Sequence, residues 1–414
     1  MEKAKKGKMM GHKHLQGPGR LVRSTIIHGY QNTGIIFEWI EEKAYLSIDE
    51  VQYKGTTGAI LYYHNPPMHQ IGTTALYAYH EGLDRIMDRL ECLDFLILYG
   101  ANDPVHTGGD LKESLGKLQK SLHLKDALML SGTTADEVDR LFSWGEARLK
   151  KGIVLYDKIR RIAQHARVVG VCGGGLRFGG SAEIQLMADA LVGDSRSGMC
   201  FSEAMIGIIP GWAGMARVLT KAGLENAEYM TKTARVVHAE ELKQIGIYDE
   251  VVTVDLPFPM KNNGNAQEYS SLLEEHDHNT GLLLLPRALA LATCAKAELP
   301  SLAPKNRKSL ASRKDIAKEM ATRTNPDNYA HLRNQPLRDV QEEIDLLGRP
   351  LAPQSIEAIE GLLNGLKTAP YDEIRFVHEE LKADAALYRD PKFIEGLTAM
   401  LEQRVPDFRE EENK

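Results

Sequence analysis

The chain has 414 residues, 43% hydrophobic and 26% charged, with a formal net charge of −6. That length supports a large core plus a second unit, and the composition is ordinary for a soluble globular protein. The acidic balance argues against a nucleic-acid partner, and no run of about 18 apolar residues offers a membrane-spanning helix.

Along the chain, the basic start MEKAKKGKMMGHKHLQGPGR lacks the apolar stretch of a signal peptide. Residues 1–43 are expected to be a flexible tail and lead-in. From 44 onward YLSIDEV and GAILYYHNP read as strands around a KGTTG turn. ALYAYHEGLDRIMDRL reads as a helix, FLILYG as a strand, and VHTGGDLKESL as a loop entering a helix. A long polar helical insert is expected over 113–166, with Leu141, Phe142 and Trp144 grouped near its middle. RVVGVC is the next strand, IQLMADALV a helix running into ADALVGD, and AEELKQIGIYDEVV a helix, glycine stop and strand. This alternation predicts an α/β core with parallel strands over 44–256.

Beyond about 256 the pattern becomes helical after the polar connector FPMKNNGNAQEYSS. Ile356, Ile359, Leu362, Leu363 and Leu366 form one stripe, and Phe376, Leu381 and Leu387 mark a later helix; packing faces are expected. GLLLLPRALALA, from Gly281, is too short to span a membrane and carries Pro286 and Arg287. HDH at 276–278 is expected in a solvated polar loop. Cys92, Cys172, Cys200 and Cys294 are scattered without a CxxC pair, which suits a reducing cytoplasm; with no HExxH spacing either, no metal is expected.

Chemistry concentrates in three stretches. GVCGGGLRFGGSAE (170–183) places six glycines between a strand and a helix. It fits no GxGxxG register, and Gly180 stands where a P-loop needs lysine. What remains is either tight packing or backbone N–H groups presented at a helix N-terminus, suited to an oxyanion. VHTGGDLK (105–112) is a second glycine loop at a strand end. In FSEAMIGIIPGWAGMARVL (201–219), Glu203 lies among Met205, Ile206 and Ile208 ahead of a Pro-Gly corner. Buried there, its carboxyl would be pushed up toward the range of a general acid or base; facing water, it would be an ordinary surface glutamate.

Together, in this order, VHTGGDLK, GGSAE and SEAMIGIIPG resemble the glycine loop, GGG-x-E turn and PE-x5-PG segment of the crotonase (enoyl-CoA hydratase/isomerase) superfamily. TKTARVVHAEELKQIGIYDEVV is similar to a further family segment, so the resemblance covers roughly 44–256. It implies the family's α/β, ClpP-like spiral of ββα units, here with a C-terminal helical extension. It implies an acyl-CoA substrate, no cofactor beyond the CoA that the substrate carries, and a trimeric or hexameric homo-oligomer. Carried over by position, the N–H groups of Thr107 and Gly180 would form the oxyanion hole, and Glu183 and Glu203 would be the two hydratase carboxylates. Gly108, Asp110 and Lys112 would contact substrate or CoA, Lys112 as a cation for its phosphates. Trp144 and Trp212 would line an acyl pocket, packing being the competing reading for each.

Three positions depart from the family pattern: Ser181 replaces the third glycine, Val168 a proline, and Thr107 an alanine. The implied reaction is addition or removal of water at an α,β-unsaturated acyl-CoA, with a bulky or cyclic acyl group in view. The alternatives are ring-opening hydrolysis of a cyclic 3-oxoacyl-CoA, thioester hydrolysis, and a non-catalytic subunit of the same fold. The long tail faintly resembles that of 3-hydroxyisobutyryl-CoA hydrolases, which lack the first glutamate.

Overall fold

A computed structural model describes residues 20–28, 31–32, 37–38, 44–130, 143–259, 266–294, 308–367 and 370–409. Leu141 and Phe142, and residues 260–265 of the polar connector, fall outside this set. The chain splits into two compact units. One comprises Met1–Gly108, Val154–Met199 and Val237–Lys308; the other comprises Gly109–Ile153, Cys200–Val236 and Ser309–Lys414.

The first unit is built on a seven-stranded sheet. Its order is β1 (Arg20–His28), β4 (Ala44–Tyr53), β5 (Thr56–Tyr63), β6 (Phe95–Gly100), β8 (Arg167–Cys172), β10 (Ala190–Asp194), β13 (Glu250–Val252). From β5 to β13 every neighbour is parallel. The β4–β5 hairpin turns on Lys54 and Gly55, both at positive φ, the two-residue turn whose twist matches its strands.

The sheet begins earlier than expected. Arg20–His28 pairs antiparallel with β4, Thr25 opposite Ile48, so this part of the lead-in is a strand and not a tail. A basic lead-in is compatible with this position, since an edge strand tolerates charge. A two-residue pair, β2 (Gln31–Asn32) with β3 (Phe37–Glu38), follows.

The parallel strands are buried on both faces, which is why they read as unbroken apolar runs. Ile60, Tyr62, Phe95, Ile97, Tyr99, Val169, Val171 and Val192 alternate onto one face. There they meet Leu284, Leu285, Ala288 and Leu289 of the helix Ala266–Thr293. That helix contains the GLLLLP stretch, and no helix among the described residues is long and apolar enough to cross a membrane. It also contains HDH, which is therefore helical rather than a solvated loop. Asp277 is fully buried, accepting hydrogen bonds from Tyr62 Oη (2.6 Å) and the Asn102 N–H (2.7 Å). The acidic side chain pins the helix to the sheet, a use invisible in its polar sequence context.

A second, four-stranded sheet has the order β12 (Val237–His238), β11 (Gly198–Cys200), β9 (Leu176–Phe178), β7 (Val105–His106). The helix α1 (Thr73–Met87) connects β5 to β6, as its spacing predicts.

The second unit is mainly helical. It includes α2 (Leu111–Leu130), the start of α3 (Ser143–His165), and the helices Gly214–Ala222 and Leu224–Thr233. Its C-terminal part adds Arg313–Arg323, Gln341–Leu347, Pro353–Gly365, Glu373–Leu387 and Pro391–Glu402. The predicted stripes are packing faces: Ile356, Ile359, Leu363, Phe376 and Leu387 are buried.

Candidate active site

In the first unit, the pairing of β7 with β9 sets the two glycine loops side by side. Val105 lies opposite Leu176 and His106 opposite Arg177. After β8 the chain runs through Gly173, Gly174 and Gly175 before β9, then through Gly179 into the helix α4 (Gly180–Leu186). Gly108, at φ +77°, is held to glycine twice over: a side chain would be strained there, and its Cβ would overlap Phe178 O and lie 3.2 Å from Gly180 N. Thr107, Gly108 and Gly180 are thus brought together.

Two departures from the family pattern have structural roles. The Ser181 hydroxyl accepts the Gly108 N–H at 3.1 Å, tying one loop to the other. The Val168 N–H donates to Asp189 Oδ2 at 3.1 Å, a bond that proline has no N–H to make.

The hydrogen bonds also redistribute the donors of the first loop. The Thr107 N–H donates to Met68 O (3.0 Å), and Ile71 N–H to Gly108 O (2.7 Å). Thr107 is therefore engaged inside the protein, and Gly108 is engaged by Ser181. The N–H of the next residue, Gly109, has no hydrogen-bond partner among the described residues. The N–H of Gly180 stands in the first turn of α4, where no intrahelical acceptor exists.

Behind Met68 lies a buried brace that the sequence did not suggest. His69, at φ +50°, accepts the Asn65 N–H on Nδ1 (3.1 Å) and contacts Asp103 Oδ2 through Nε2 at 2.6 Å. With Nδ1 accepting, the ring carries its hydrogen on Nε2 and donates it to the carboxylate. His106 stacks on His69 with centroids 4.4 Å apart and bonds Ala101 O through Nε2 (2.8 Å). Burial first, then the nearby Arg177 guanidinium, holds the His106 pKa well below its ordinary value. Arg177, itself buried, donates to Gly173 O at 2.8 Å. One turn into α4 is Glu183, 3% exposed.

In the second unit, Glu203 opens a short 3-10 turn, Glu203–Met205, and is 8% exposed, so the buried reading holds. Burial and then the Glu203 charge push the neighbouring Cys200 thiol up to about 12, which keeps it protonated and inert as a nucleophile. The segment after Glu203 is held by the C-terminal helices. Ala204 O accepts the Ala352 N–H (2.9 Å), and a Cβ on Gly396 would lie 2.7 Å from Ile206 backbone atoms. Two fully buried carboxylates one turn apart on Glu373–Leu387 complete the hold. Asp384 Oδ1 accepts the Ile209 N–H (2.9 Å) and Glu380 Oε2 accepts the Ala216 N–H (3.1 Å). They grip both ends of the Pro-Gly corner that carries Trp212.

The remaining predicted residues divide. Asp110 caps α2, its Oδ1 accepting the Glu113 N–H at 3.0 Å, which accounts for it without a ligand. Lys112 is exposed on the first turn of that helix. Trp144 meets Tyr388 edge-on at 5.8 Å, so packing describes it. Trp212 is buried against Gly152, whose Cβ would overlap the indole, and Arg148 lies 6.0 Å from its ring. His69, Asp103, Arg148, Glu380 and Asp384 were missed; each is a charged or polar residue whose partner lies far away in sequence.

The enoyl-CoA hydratase/isomerase family model matches residues 149–256. Among curated proteins, the peroxisomal fatty acid beta-oxidation multifunctional protein MFP2 of Arabidopsis thaliana is 24% identical over 247 residues, 58% of this chain and 30% of that protein. The glyoxysomal multifunctional protein MFP-a of Brassica napus is 24% identical over 189 residues, 45% of this chain and 23% of its own length. The chain thus spans under a third of these curated relatives. An enoyl-CoA hydratase structure from Rhodobacter sphaeroides 2.4.1 shares the fold at TM-score 0.51 and 14% identity, covering 85% of this chain and 90% of that one. A carnitinyl-CoA dehydratase from Mycobacterium thermoresistibile gives 0.50 and 16%, covering 84% and 87%. Residues 149–256 thus match the enoyl-CoA hydratase/isomerase family model, and the chain shares the fold of these hydratase and dehydratase structures, with a divergent helical region beyond the matched segment.

Proposed function

We propose that the chain adds water reversibly to the double bond of an α,β-unsaturated acyl-CoA. The observation that carries this reading is the junction of the two glycine loops, where Gly108 is pressed against Gly180 at the start of the helix bearing buried Glu183. The thioester oxygen would accept the Gly180 N–H and one N–H of the first loop. In that loop the Thr107 and Gly108 N–H groups donate to Met68 O and Ser181 Oγ. Charge that develops on this oxygen as the enolate forms is met by fixed dipoles, with no reorganisation needed.

Glu183 and Glu203 would manage the water. One carboxylate takes a proton from it as its oxygen bonds to Cβ; the other delivers a proton to Cα. In the dehydration direction the same transfers run backward. Lys112, exposed beside the loop, would meet CoA phosphates, and copies of the chain would assemble as the family resemblance implies.

The test is steady-state hydration by Glu183→Gln and Glu203→Gln. Each should lower kcat by about 10²–10⁴-fold with substrate binding retained. Turnover unchanged in both variants would eliminate the two-carboxylate mechanism.

A further inference from the structure

We infer that the Ser181 hydroxyl is a third donor to the thioester oxygen, and so a catalytic residue; this rests on the acyl-CoA reading above. Ser181 directly follows Gly180 and is 7% exposed. Its Oγ accepts the Gly108 N–H at 3.1 Å, and that is its one hydrogen bond among the described residues. Gly180 N stands 3.2 Å from where a Cβ on Gly108 would be. Gly108, Gly180 N and the Ser181 hydroxyl therefore share one small volume, all within the first unit. Thr107, the neighbouring loop residue, is turned away from it. Its N–H and its hydroxyl both donate to Met68 O, at 3.0 and 3.2 Å.

A hydroxyl has one hydrogen to donate and two lone pairs with which to accept. At Ser181 the Gly108 N–H occupies a lone pair and fixes the oxygen, while the hydrogen meets no acceptor among the described residues. A buried donor without an acceptor costs stability, so a hydroxyl kept in this state suits an acceptor that arrives with a ligand. Three features make the thioester oxygen that acceptor. An oxygen that accepts the Gly180 N–H lies about 3 Å from Gly180 N, which places it beside the hydroxyl. The bond from Gly108 polarises the hydroxyl and strengthens it as a donor. The enolate oxygen carries more negative charge than the carbonyl it came from, and a hydrogen bond to a charged acceptor is about twice as strong. The hydroxyl thus favours the transition state over the bound substrate. A nucleophilic role does not fit, because no base stands against Ser181 among the described residues to take its proton.

The experiment is isotope-edited infrared spectroscopy of the full chain with butyryl-, octanoyl- or cyclohexanecarbonyl-CoA, each 13C-labelled at the thioester carbonyl. These saturated acyl groups bind without adding water, and calorimetry establishes that the site is filled. The wild-type carbonyl stretch should fall below its value in the free thioester, and Ser181→Ala should lose about a third of that shift. Ser181→Cys, a weaker donor of similar size, should lie between the two. In hydration assays Ser181→Ala should lower kcat roughly 10²-fold, with thioester affinity changed less than about 3-fold. An equal carbonyl shift in wild type and Ser181→Ala would overturn the inference, even if kcat fell, because Ser181 would then only support the loop. Where Ser181→Ala fails to fold, a wild-type shift in Ser181→Cys would overturn it as well. If no thioester binds, or if the wild-type carbonyl does not shift on binding, the acyl-CoA reading falls and takes this inference with it. If thioesters bind with a shift that ignores Ser181, only this inference falls.

Discussion

The glycine loops of the first unit and the Glu203–Ala216 segment of the second are held in place by different means. The loops are fixed by backbone: β7 pairs with β9, glycines permit the approach, and Ser181 adds one side-chain bond. The segment is fixed by side chains from the C-terminal helices, above all Glu380 and Asp384. A backbone-built site demands particular residue types at particular places. A side-chain-built site demands only that some partner arrive, from any place in the sequence. The helical region beyond 308 therefore serves as the support of the segment that bears the second glutamate.

The comparison breaks most sharply at Gly108. Gly108→Ala would combine a strained φ with overlap on Phe178 O, for a stability loss of at least about 2 kcal/mol. Denaturant melts should show this, and turnover should fall by more than about 10²-fold as the loop is pushed away from Gly180.

On the side-chain-built half, Asp384→Ala and Glu380→Ala each leave a buried backbone N–H without its acceptor. Each should cost about 1–3 kcal/mol. Asp384→Asn keeps an acceptor oxygen and should cost less, and kcat should follow the same order. A loss in stability with kcat unaltered would show that the clamp does not position the Glu203 segment.

The brace behind the loops gives a smaller, pH-dependent effect. Because the His106 pKa is held well below 6.5 in the folded chain, native His106 stays neutral while the unfolded chain takes up a proton. Stability should fall as pH drops below about 6.5, by about 1.4 kcal/mol per pH unit from this residue until the folded value is reached. Above that range His106 contributes no pH dependence. His276, its pKa also lowered by burial and then by Arg196, adds in the same direction. Urea midpoints between pH 8 and 5 read this slope, and His106→Gln should flatten it.

The smallest effect is expected at exposed Lys112. Lys112→Ala should raise KM for CoA thioesters a few-fold at low salt, converge with wild type at high salt, and leave stability within about 0.5 kcal/mol.

What was legible in the sequence follows the same division. The parallel core, the hairpin at Lys54–Gly55 and the glycine loops could be read because apolar runs and glycines state a backbone requirement locally. Thr107 was read as a donor because its loop was recognised, but the engagement of its N–H depends on Met68, which lies in a different loop. Arg20–His28 reads as part of a flexible lead-in because its partner strand lies beyond the segment itself. HDH looked solvated for the same reason, since Asp277 is satisfied by Tyr62 and Asn102. Glu380 and Asp384 sit in an ordinary-looking amphipathic helix, and only the fold reveals which backbone they grip.

The most direct test of the central claim is mass spectrometry of the full chain incubated with linear, cyclic and aromatic-derived enoyl-CoAs in 18O-labelled water. The account predicts a product that gains one labelled water, retains CoA, and reverts to the enoyl-CoA when started from the hydroxyacyl side. Release of free CoA, or an irreversible product with a new carboxylate, would contradict it.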